Sequence, residues 1–150
     1  MVCMEQENRK KLMALVGEQI KIEKDHVEHL TELEKKMRYA AAKLLVLEMK
    51  LDSEKHADIL TAIIKTLEGI PNNETLWEYE LESYIDPEIV KRELEVHAKM
   101  ENDVLAHIEK EFAHTTDEGL KLLLQNIEAD KKKHQKMLET ILHNLYKISP

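Results

Sequence analysis

Six side chains of this 150-residue chain are of the right type and spacing to hold metal ions. They are Glu23, Asp52, His56, Glu101, Asp130 and His134. Carboxylate oxygens combined with imidazole nitrogens suit Fe, Mn or Zn, whereas an all-oxygen cage would favour Ca or Mg. Asp52/His56 and Asp130/His134 stand at i, i+4, which brings both members of each pair to one face of a helix. Two divalent cations would supply +4 against the −4 of the four carboxylates, with two neutral imidazoles completing the set. Without such compensation, several kcal/mol oppose each ionised carboxylate in a helical core.

The elements that carry these residues follow from an internal repeat. Only 3 Gly and 3 Pro occur, aromatics make up 4%, and the apolar residues recur with helical period, so the chain reads as all-α. Residues 5–67 run as one helical pattern, which at 1.5 Å per residue would span about 95 Å, too long for one helix of a small domain. Shifting the sequence by 78 positions pairs Glu23 with Glu101, Asp25 with Asp103, His29 with His107, Asp52 with Asp130, Lys55 with Lys133 and His56 with His134. The visible break at Thr115-Thr116 then maps back onto Met37-Arg38 and locates a hidden turn.

The repeat predicts helices over 5–36, 39–68, 87–113 and 117–147. Gly69 and Pro71 end the second; Asp86-Pro87 and Thr116 or Asp117 open the third and fourth. Short links make two antiparallel hairpins, and a long crossover with Trp77, Tyr79 and Tyr84, room enough for a short helix, joins them. The expected architecture is an antiparallel four-helix bundle forming a single domain over 1–150.

Helical-wheel positions put the six residues inward. Glu23 lies on the line of Val16, Ile20, Val27 and Leu30, and Glu101 on that of Leu94, Ala98, Leu105, Ile108 and Phe112. Asp52 and His56 fall among Leu45, Met49, Ile59, Leu60 and Ile63; Asp130 and His134 fall among Leu123, Ile127, Met137, Leu138 and Ile141. His26, Glu48 and His97 flank these faces as candidate further ligands or supports. Asp25/His29 and Asp103/His107 obey the repeat but are expected to point outward. The alternative is an inner ion-pair network in which Lys55, Lys131 or Lys133 reaches in. That alternative makes the chain a metal-free binding or assembly module.

The net charge of −8 argues against nucleic acid and anionic membranes as partners. The single cysteine, Cys3, supports no disulfide framework. No long apolar run or signal peptide is seen, so a cytoplasmic protein is expected.

One Glu on the first helix, a carboxylate–His pair on the second, and the same again on the third and fourth resemble the ferritin-like superfamily, and within it the rubrerythrin-like proteins. The resemblance implies a di-iron or mixed di-metal site, with iron as the first expectation and Mn or Zn as alternatives. It implies Glu23 and Glu101 as the single glutamates, Asp52 and Asp130 as the paired carboxylates, and His56 and His134 as nitrogen donors. It further implies an oxidoreductase reducing O2 or peroxide, with a homodimer and a small redox partner expected. The chain departs from the family's Glu-x-x-His motif: Ser53 and Lys131 stand three residues before each His, and the carboxylate is a shorter Asp one residue earlier. No Cys-x-x-Cys module is present, nor is a fifth helix expected, so iron storage in a shell is not.

Overall fold

The computed structural model describes the backbone of residues 2–71, 73–81 and 86–148, and the side chains of 5–71, 73–81 and 86–144. Among these residues there are four α-helices and no strand: α1 (Val2–Lys36), α2 (Ala40–Gly69), α3 (Pro87–Ala113) and α4 (Glu118–Ile148). That content is consistent with a four-helix bundle. The chain forms two compact units, Met1–Tyr79 and Glu80–Pro150. α1 packs on α2 in the first, and α3 on α4 in the second. No helix among the described residues is long and apolar enough to cross a membrane.

The hidden turn lies where the repeat puts it. α1 ends on the basic pair Lys35-Lys36, which suits the negative end of the helix dipole. The Met37 amide donates to the Glu34 carbonyl (3.2 Å), and Tyr39 is extended, at φ −101° and ψ 138°. Three residues therefore reverse the chain with no left-handed backbone, and glycine is not required there. Ala40-Ala41-Ala42 then restarts the helix with the residue of highest helix propensity. α2 stops because Ile70 precedes Pro71. Proline disfavours a helical residue before it, and Ile70 is extended at φ −81° and ψ 130°. Gly69 does not serve as a left-handed cap; a Cβ there would meet the Tyr79 hydroxyl at 3.4 Å.

Arg9, near the start of α1, donates from Nη1 to the Ile70 carbonyl at 2.7 Å, tying the two far ends of the first hairpin together. Asp86 caps α3: its Oδ1 accepts from the Glu88 amide (3.0 Å), with Pro87 at the first helical position. Asp117 caps α4 by accepting from the Leu120 amide at 2.9 Å. In the crossover, the Glu78 and Tyr79 amides both donate to the Thr75 carbonyl, a turn where the sequence leaves room for a short helix. Tyr84 lies outside the described residues.

The helix contacts bury Val46, Ser53 and Ala57 on α2, Glu101 and Ile108 on α3, and Leu138 on α4. The apolar stripes are wider than one helix–helix contact covers. Met49, Ile59, Ile127 and Met137, expected inside, are 46–58% exposed.

Candidate metal centre

In the first hairpin Glu23 occupies the centre of α1's packed face, its side chain 13% exposed. His56 approaches it from α2, with Nδ1 3.6 Å from Oε1. The second hairpin repeats this pair at the equivalent positions. Glu101 on α3 is buried, and His134 Nδ1 on α4 lies 3.6 Å from its Oε1. The sequence shift of 78 is thus also a repeated geometry between paired helices.

The other members lie nearer the edges. Asp52 and Asp130 are about half exposed, and each is paired with the lysine three residues on: Lys55 at 3.0 Å and Lys133 at 3.3 Å. His56 and His134 are themselves 53% and 43% exposed. The reason is visible on α2, where the buried line runs through Val46, Ser53 and Ala57. Asp52 and His56 each precede one of those residues and so sit about 100° away around the helix.

An open recess of about 490 Å³ in the first hairpin is lined by Glu23, His26, His29, Asp52, Ser53 and His56, with Leu30 and Met49. Glu23, Asp52 and His56 thereby border one recess, and the flanking His26 borders it too. His29, expected to point away, also lines this recess. It stands three residues after His26, a spacing that places the two on adjoining parts of one helix face. Its repeat partner His107 does not follow it: its Nε2 pairs with Glu111 at 3.5 Å, and both line an apolar recess near the α3–α4 turn.

The second hairpin is more crowded. His97 reaches Glu101 Oε1 from one turn earlier, its Nε2 at 3.1 Å. Lys131 on α4 places Nζ 3.4 Å from both carboxylate oxygens. Burial pushes the Glu101 carboxyl up, but the Lys131 hydrogen bond and charge, with His134 and His97, outweigh it and hold the group below its ordinary value. Oε2 is buried without a hydrogen-bond partner, although Lys131 lies within ion-pair distance. Asn102 accepts from Gln135 Nε2 beside this cluster.

The donor set fits a divalent cation in kind: a buried glutamate, Glu101, and a largely covered one, Glu23, each faced by an imidazole, with one Glu101 oxygen still lacking a hydrogen bond. Among the described residues, however, no three Asp, Glu, His or Cys side chains converge on one point as ligands do. Around Glu101 the imidazoles face a carboxylate oxygen, which is the arrangement of an ion-pair network.

No family model, curated protein or solved structure matches the chain. The likeness to rubrerythrin-like proteins therefore rests on the residues described above.

Proposed function

We propose that this is a divalent-metal-binding helical protein of ferritin-like type, in which each hairpin carries its own carboxylate–imidazole site. The observation that supports it is the recurrence of one pair, Glu23/His56 and Glu101/His134, at the same 3.6 Å in both hairpins. A carboxylate drawn into a helix contact needs a counter-charge, and a carboxylate oxygen beside an imidazole nitrogen is a donor pair that suits a divalent transition metal. In the first hairpin Glu23 would neutralise a cation, His56 would supply nitrogen and Asp52 would add oxygen from the half-exposed edge; Glu101, His134 and Asp130 would take the same roles in the second. Iron held this way would supply one-electron chemistry towards O2 or peroxide, and these residues would keep it in place.

Anaerobic titration with Fe(II), followed by metal analysis after gel filtration, tests this. Retained metal that is lost in the Glu23→Gln/Glu101→Gln protein supports the reading. No retained Fe(II), Mn(II) or Zn(II) at micromolar concentration overturns it. A second reading, the metal-free binding or assembly module, is favoured by Lys131, which satisfies the Glu101 charge from within the chain. It expects the ion-pair network to carry stability and metals to leave the melting temperature unchanged.

A further inference from the structure

The two hairpins repeat the same acidic and histidine positions but differ where the counter-charge would come from. Residue 53 is a buried serine; its counterpart 78 positions on is Lys131. Lys131 extends along the contact of α3 with α4, its side chain 26% exposed, and brings its ammonium to 3.4 Å from both oxygens of Glu101. A second imidazole, His97, stands on the same carboxylate, where the first hairpin has Gln19. Among the described residues no lysine or arginine pairs with Glu23, and Lys55 is turned to Asp52. Glu23 instead borders the recess that His26, His29, Asp52, Ser53 and His56 share.

We infer that Lys131 is a built-in cation that fills the second hairpin's site, so that the chain takes one divalent ion, in the first hairpin. A metal ion bound to Glu101 would have to displace the ammonium or lie beside it, against the repulsion of two like charges at short range. Ser53, by contrast, adds a hydroxyl and no charge to the first recess, which leaves Glu23 without an ammonium and able to attract a cation. The duplicated motif has thus become one metal half and one lysine half. This rests on the metal-binding reading above and replaces an expected count of two ions by one.

Co(II) titration read by native mass spectrometry and by the visible d–d bands of bound Co(II) tests the count, with circular dichroism checking each variant's fold. The expected results are one Co(II) per chain in the parent protein, lost in Glu23→Gln and kept in Glu101→Gln. Lys131→Ser is expected to take two ions, and Ser53→Lys, which installs the ammonium in the first hairpin, none. Two ions in the parent protein, one ion still in Lys131→Ser, an ion retained by Ser53→Lys, or an ion lost in Glu101→Gln each overturns the inference. Should Lys131→Ser fail to fold, the Ser53→Lys protein and the two glutamate variants decide. Failure of every folded variant to bind Co(II) defeats the metal-binding reading itself.

Discussion

Replacing Lys131 with methionine in metal-free protein isolates the energetics of the second hairpin. Methionine keeps much of the lysine stem's apolar packing and removes the ammonium that lies 3.4 Å from both oxygens of Glu101. Glu101 is only 5% exposed, so it cannot recover its lost partner from bulk water. Breaking a fully buried pair costs about 3–5 kcal/mol, and an exposed pair contributes about 0–1 kcal/mol. Lys131 is a quarter exposed, and His97 and His134 remain at 3.1 and 3.6 Å to offset part of the loss. The expected destabilisation is therefore about 2 kcal/mol, intermediate between those limits.

The assay is urea unfolding followed by far-UV circular dichroism at pH 8 with EDTA present. For a chain of this length, a 2 kcal/mol loss also lowers the melting temperature by roughly 4–8 °C. The companion Glu101→Leu/Lys131→Met protein removes both charges and should recover to within about 1 kcal/mol of the parent, since replacing a whole buried pair by apolar residues is often neutral. If the single variant is as stable as the parent, the Lys131–Glu101 contact is not what compensates the buried carboxylate. If the double variant is no more stable than the single one, the loss comes from packing and the electrostatic reasoning fails.

Three other outcomes follow from the same geometry. Glu101 is held below its ordinary carboxyl value of 4.5, so its ionised form contributes stability fully present above pH 4.5 and lost as the pH falls further. Acid unfolding of the metal-free protein should begin below that value, and Glu101→Gln should flatten this part of the curve. Asp52→Asn with Asp130→Asn removes two half-exposed i, i+3 pairs, so metal-free stability should change by under about 1 kcal/mol in thermal melts while Co(II) binding weakens. Asp117→Ala deletes the acceptor for the Leu120 amide and should cost about 1 kcal/mol, seen as a lower melting midpoint with Co(II) affinity unchanged.

The helices were legible because the repeat carried a visible signal to an invisible one. Thr115, Thr116 and Asp117 mark a turn by composition; Met37, Arg38 and Tyr39 do not, and only the 78-residue shift identifies them. No glycine or proline was needed there because every φ in that turn is negative. Glu23 and Glu101 were legible too, since each sits at the middle of a clear apolar stripe. The paired positions were harder to read. A stripe that includes Met49, Asp52, His56 and Ile59 does not say which edge meets the neighbouring helix, and Ser53 and Ala57, small and weakly patterned, turn out to form the buried line. Lys131 was recognisable as a lysine at a stripe edge, but nothing in its spacing says that its long stem carries the ammonium back to Glu101.

Within this one chain each hairpin serves as a control for the other. Both retain the inward glutamate, the facing histidine and the half-exposed Asp–Lys pair, so the presence of these groups does not distinguish the halves. What differs is the source of positive charge beside the glutamate. A carboxylate held inside a helix pair must be neutralised, and Glu101 meets that need with the Lys131 ammonium at 3.4 Å. Glu23 has an imidazole at 3.6 Å, an open recess bordered by further nitrogen and oxygen donors, and no ammonium from the described residues. The equivalent carboxylate is therefore satisfied internally in one half and left to attract a cation in the other. For that reason the number of ions bound, more than binding as such, is the measurement that separates the two halves.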